Sequence, residues 1–195
     1  MTEPKVSRFE IPPLDALPPD LRQRIEAVRV KTGFIPNVFL VLARRPDEFR
    51  AFFAYYDALM LRKGGLSKAE KEMIVVATSA ANQCPYCVVA HGALLRLFAK
   101  NPRLSDQIAI SYRTAEIGRR QRAMLAAALK LAQAPQTFGE DDVQALLAEG
   151  FSRDDVWDIG GIVGLFALSN RLAHLTDMRP NDEFYNLGRV DSRPE

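Results

Sequence analysis

The sequence predicts an all-α protein, and three observations carry that prediction. Few segments alternate apolar and polar residues for long. No Asn-Gly or Asp-Gly dipeptide marks a hairpin. Capping residues, prolines and glycines cut the chain into stretches of helix length.

The first 19 residues hold five of the twelve prolines and predict an extended arm before a single helical domain over residues 20–195. Asp20 is a good N-cap for a helix reaching Lys31. A short helix follows Pro36, and a longer one runs from Pro46 to Met60. "RKGGLS" breaks the chain at residues 62–67. Ser67, with Glu70 three residues on, forms a capping box for a helix through Ala81. Cys84-Pro85 opens the next helix, which reaches about Lys100, because proline fits the first helical turn. "NPRL" ends it and starts a short segment around Ile108. In the second half a helix from Arg119 to Gln133 stops at Ala134-Pro135. Another runs from about Glu140 to Glu149, closed by Gly150. A long helix starts at Ser152, with Asp155 at its capping-box position. The halves repeat weakly: "LSKAEKEMIVVA" in the first (about 66–100) aligns without gaps to "IGRRQRAMLAAA" in the second (about 117–175).

Composition excludes several function classes. In the 195 residues, 26 basic and 24 acidic side chains nearly cancel, which argues against nucleic acid or an anionic membrane surface as partner. The N-terminus has no apolar core of signal-peptide type, and no apolar run is long enough to span a bilayer. A cytoplasmic location is expected. In a reducing compartment, two cysteines at CxxC spacing point to catalysis or metal binding before a structural staple.

Those cysteines, the only two in the chain, lie in "NQCPYCVVAHGALL". At 100° per residue, Cys87 sits about 60° and His91 about 20° from Cys84, so the three share one narrow helix face. Val88, Leu95 and Phe98 fall on that face, which is the expected buried side. Arg96 lies away from it, and Tyr86 and Ala93 lie nearly opposite. A helix N-terminus favours a thiolate, and a histidine one turn further moves protons at neutral pH. Glu72, twelve residues before Cys84, falls within about one turn of His91 in a hairpin that bends near Asn82. Carboxylate and imidazole together form a reasonable proton relay. The same atoms also suit a zinc site, with Cys84, Cys87 and His91 as three ligands and Glu72 or water as a fourth. Two buried structural thiols are the third use.

Glu72, Cys84, Cys87 and His91 stand at the spacing E-x11-C-x2-C-x3-H. The chain thereby resembles the AhpD-like alkylhydroperoxidases of the carboxymuconolactone decarboxylase superfamily, and most of all their longer "peroxidase-related" branch. The resemblance spans about residues 66–175 and includes "GFSRDDVWDIGGIVGLFALSNRLAHL". It implies an AhpD-like helical bundle and a two-cysteine peroxidase. Cys87 would attack the hydroperoxide, Cys84 would resolve the sulfenic acid to a disulfide, and Glu72 and His91 would relay protons. It implies a lipoyl-type or thioredoxin-like dithiol as electron donor and a homo-oligomer, a dimer or larger. No cofactor or metal is expected in that reading. Well-known members carry a histidine directly before the second cysteine; here Tyr86 stands there. A decarboxylase-like or small-molecule-binding member without redox activity, and a zinc-stapled interaction protein, are the competing classes.

Elsewhere, His174 reads as a structural or surface residue. Asn170 and Arg171 read as helix-packing or subunit-contact residues. Trp157, Phe52, Phe53 and Phe166 read as core.

Overall fold

The computed structural model describes residues 5–189; the expected domain limits within 1–4 and 190–195 lie outside them. Ten α-helices and two 3-10 turns follow one another, with no strand among the described residues. The helices are α1 (Pro19–Thr32), α2 (Asn37–Leu42), α3 (Pro46–Met60), α4 (Lys68–Ala81), α5 (Pro85–Ala99), α6 (Leu104–Ser111), α7 (Arg119–Gln133), α8 (Glu140–Ala148), α9 (Arg153–Thr176) and α10 (Glu183–Asn186). The all-α expectation is met.

Local chemistry starts the two central helices as the sequence predicts. Ser67 Oγ accepts the Glu70 N–H at 3.2 Å, and the Glu70 carboxylate accepts the Ser67 N–H at 2.9 Å. Ser152 and Asp155 make the same reciprocal pair at 3.1 and 2.8 Å. Each box satisfies two backbone donors that a helix start otherwise leaves open. Helix α1 departs from expectation. It begins at Pro19 with Pro18 as its N-cap, because a proline's fixed φ suits the first helical position. Asp20 lies inside the first turn, where its carboxylate pairs with Arg50 instead of capping.

Helix α4 is the centre of the molecule. Its residues 70–79 are all buried, and α5, α6, α7 and α9 pack around it. Ile74, Val75, Val76, Leu95, Met124, Leu125, Ile162 and Phe166 fill the main core. A second cluster of Leu17, Leu21, Ile25, Ala43, Phe49 and Phe53 holds α1 to α3. Val38, Phe52 and Tyr56 touch both clusters and join them. Gly161 lets α9 approach α3, since a Cβ there would meet Leu59 Cδ2 at 2.8 Å.

The proline-rich arm docks on its own chain. Arg8 N–H donates to Thr176 O, Arg179 N–H donates to Val6 O, and Leu17 is buried. A 3-10 turn over Leu14–Ala16 interrupts its extended course. The segment after α9 closes the other side. Arg96 donates to Leu187 O at 2.9 Å, Phe184 O at 2.7 Å and Ser105 Oγ at 3.1 Å. This corrects the expected face of α5. Tyr86, Ala93 and Arg96 are all buried, while Phe98 is 42% exposed. The helix is covered nearly all round because α2 and the C-terminal segment reach the side away from α4 and α9. Trp157 is a second correction. It is 77% exposed on α9, on the side that also leaves Leu168 and Leu175 to solvent. Phe53 and Phe166 are core, and Phe52 is half-buried.

Candidate active site

The turn between α4 and α5 sets the geometry of the cysteines. Gln83 takes φ +52°, a left-handed conformation that ends α4. Its N–H donates to Ala80 O, and the N–H of Cys84 donates to Ser79 O at 2.9 Å. These are the two bonds of a Schellman motif. Cys84 is at the same time the N-cap of α5, its carbonyl accepting the Val88 N–H at 3.1 Å. One residue therefore closes one helix and opens the next, and Cys87 follows within the first turn.

Both cysteines are free thiols and both are buried, at 0% and 1% exposure. Cys87 Sγ lies 3.6 Å from Ser169 Oγ on α9. The thiols affect each other strongly. Hydrogen bonding from the Cys87 thiol, set against burial, holds Cys84 down to about 6, and the backbone amide of Cys87 at the helix start adds to the effect. Cys87 is correspondingly pushed well above the ordinary thiol range by the same hydrogen bond and by burial. The two shifts belong to one interacting pair, with Cys84 the sulfur that loses its proton more readily.

His91 is carried one turn further along α5. Its Nδ1 meets Glu72 Oε2 at 2.7 Å, and both side chains are nearly enclosed. Phe166 packs edge-on against the imidazole, with ring centroids 4.7 Å apart. The Glu72–His91 contact expected from hairpin spacing is present, and the structure brings all four expected residues to the α4–α5 pair. Among the described residues, no cluster of three or more His, Cys, Asp or Glu side chains is arranged to hold a metal ion.

Tyr86, in place of the second histidine, points the other way. Its hydroxyl accepts the Val38 N–H at 3.1 Å and so ties α5 to α2. Burial pushes this phenol upward. Tyr56 is also pushed upward, by burial first and then by the charge of Glu72.

Sequence reading missed the α9 side of the site. Asn170 donates to Ser79 Oγ at 3.0 Å and accepts from Asn82 Nδ2 at 2.9 Å, while Ser169 faces Cys87. The available signal was the run of polar residues in "ALSNRLAH", inside an otherwise apolar helix.

Comparison with known proteins agrees with this fold. A family model described as "Carboxymuconolactone decarboxylase family" matches residues 46–134. A solved AhpD-core, peroxidase-related protein from Ralstonia eutropha JMP134 is 60% identical, with TM-score 0.94, over 95% of this chain and 98% of that one. The chain belongs to the AhpD-like carboxymuconolactone decarboxylase superfamily. A second peroxidase-related member, from Silicibacter sp. TM1040, is 39% identical with TM-score 0.91 over 97% and 100% of the two chains. The debrominase Bmp8 shares the fold at 21% identity and TM-score 0.75, over 94% and 95% of the chains. No curated protein matches the chain. As in the peroxidase-related members, the AhpD-like fold extends over almost the whole length. No helix among the described residues is long and apolar enough to cross a membrane.

Proposed function

We propose that this AhpD-like protein is a thiol-dependent hydroperoxide reductase. The observation that carries the reading is the buried CxxC pair at the start of α5, one turn from a Glu72–His91 pair that meets at 2.7 Å. In the cycle, the Cys87 proton passes to the Cys84 thiolate across their hydrogen bond, and the Cys87 thiolate attacks the terminal oxygen of ROOH. The O–O bond breaks, Cys87 becomes a sulfenic acid, and the alkoxide leaves as ROH with a proton supplied through His91. Cys84 then loses its proton toward the relay and attacks the sulfenic sulfur. A disulfide forms, and the leaving hydroxide takes that proton back from the relay as water, with one proton from solvent restoring His91. An external dithiol reduces the disulfide and is itself oxidised to a disulfide. A lipoyl-type or thioredoxin-like dithiol fits that role. Glu72 holds His91 in place and compensates the charge the ring gains when it takes a proton.

The deciding experiment is a thiol count before and after one equivalent of hydroperoxide, with metal analysis of protein purified without chelator. The reading expects two thiols per chain, both lost on oxidation and both recovered with a dithiol. Thiols that survive peroxide would instead indicate a member without redox activity. One zinc per chain with blocked thiols would indicate a stapled interaction protein.

A further inference from the structure

Helix α9 covers the site with one face. Phe166 packs edge-on against His91, and Ser169, three residues on, places its Oγ 3.6 Å from Cys87 Sγ. Both members of the Ser169–Cys87 contact are buried, at 7% and 1% exposure. A serine or threonine inside a helix usually points to solvent or turns back to the carbonyl four residues earlier. Thr78 turns back to Ile74 O at 2.8 Å, and Thr176 to Leu172 O at 2.7 Å. Ser169 does neither: among the described residues, the Cys87 sulfur is its one hydrogen-bonding partner. Asn170 beside it bonds Ser79 and Asn82, which fixes this part of α9 to the turn that carries the cysteines.

We infer that the Ser169 hydroxyl is the hydrogen-bond donor that stabilises the Cys87 thiolate. A hydroxyl both donates and accepts, so it accepts from the Cys87 S–H and turns to donate once that proton leaves. With Cys87 1% exposed, bulk water does not reach the sulfur, and a buried anion without a donor is costly. The hydroxyl takes the place that water would fill. Hydrogen bonds to ionised acceptors are stronger than neutral ones, so the contact favours thiolate over thiol. The surroundings of the sulfur agree: Cys84 first and burial second push the Cys87 thiol up, and Ser169 is among the groups that pull it down. That Ser169 thereby readies the attacking sulfur rests on the peroxidase reading; the effect on the sulfur does not.

The test reads each sulfur alone, by ultraviolet thiolate absorbance against pH and without peroxide. In a Cys84→Ser background, which removes the largest influence on Cys87, Ser169→Ala should raise the Cys87 midpoint by about one pK unit, a fall of about tenfold in thiolate fraction below it. In a Cys87→Ser background, the same change should leave the Cys84 midpoint in place. Ser169→Thr and Ser169→Val are matched in shape and differ in the hydroxyl. In the Cys84→Ser background, Ser169→Val should titrate about one unit above Ser169→Thr. An unmoved Cys87 midpoint in Ser169→Ala overturns the inference, and so does a common midpoint for Ser169→Thr and Ser169→Val. Equal shifts of both sulfurs overturn it as well, since they would mark a general loosening of the site. If the expected shifts appear in a protein whose wild type does not turn over peroxide, the inference stands and the peroxidase reading falls.

Discussion

Glu72 and His91 meet at 2.7 Å across the α4–α5 pair, although 19 residues separate them in sequence. Glu72→Gln should slow peroxide turnover about 10²- to 10⁴-fold, the usual worth of general acid–base assistance, with little change in melting temperature. His91→Phe should slow it similarly but also destabilise the fold by about 3–5 kcal/mol, because it strands a buried carboxylate. The double variant should recover stability without recovering activity. Full activity in Glu72→Gln across about pH 5 to 8 would remove the relay from the mechanism.

The roles of the two sulfurs are separable by trapping. Cys84→Ser should form a sulfenic acid at residue 87 that a dimedone-type reagent captures. Cys87→Ser should react at residue 84 far more slowly. Since hydrogen bonding between the thiols lowers Cys84 and raises Cys87, the reverse pattern has a physical route, and its appearance would exchange the two roles.

Thiolate formation has a defined pH window. Cys84 is depressed from its ordinary value of 9.0 to about 6 in the fold. A depressed acid adds stability fully above its unfolded pKa, and that contribution disappears as pH falls through the folded one. Thiolate absorbance should therefore rise by one equivalent per chain through about pH 6, and the second equivalent should appear only well above 9.0. Two equivalents titrating together near the ordinary thiol value would show that the sulfurs do not share a proton.

Tyr86→Phe tests whether this tyrosine anchors or catalyses. It leaves the Val38 N–H without its acceptor, at a cost of about 1–3 kcal/mol in denaturant unfolding. The pH profile of turnover should keep its shape. A changed profile with unchanged stability would give the phenol a part in the chemistry.

The outer side of α9 is the surface to test for assembly. Trp157, Leu168 and Leu175 are exposed there, and Tyr55 and Leu61 of the neighbouring α3 region are exposed as well. Exposed apolar patches of this kind mark interfaces, and symmetric homo-oligomers are their usual outcome. We expect a dimer or larger by light scattering, and Trp157→Glu with Leu168→Glu to reduce its mass. A mass near the 21.8 kDa of one chain for wild type would exclude the assembly. Deleting residues 1–16 should lower the melting temperature, since the arm is bonded to α9 and the C-terminal segment of its own chain.

What was legible in the sequence was local. Ser67 with Glu70, and Ser152 with Asp155, act within four residues, so their capping chemistry is visible in the string itself. The Glu72–His91 pair was also legible, because a tight hairpin fixes the offset between two helices. Partners at long range were not. Ser169 is 82 residues from Cys87, and His174 is 92 from Asn82, so the polar run in "ALSNRLAH" marks that part of α9 without naming its partners. Tyr86 and Arg96 were assigned to the open side of α5 because their cover comes from α2 and from the segment beyond α9. Trp157 erred the other way, since hydrophobicity alone does not say which side of a long helix a second layer covers.

The double duty of Cys84 ties the ends of two helices to one residue. Its N–H holds the last turn of α4 and its carbonyl holds the first turn of α5, so a shift of its backbone pulls on both ends. On the proposed dithiol reading, closing a disulfide at this point would load the two hydrogen bonds that join the hairpin. Amide exchange at Cys84 and Val88 should report it, even in a partner-free protein and with no substrate present.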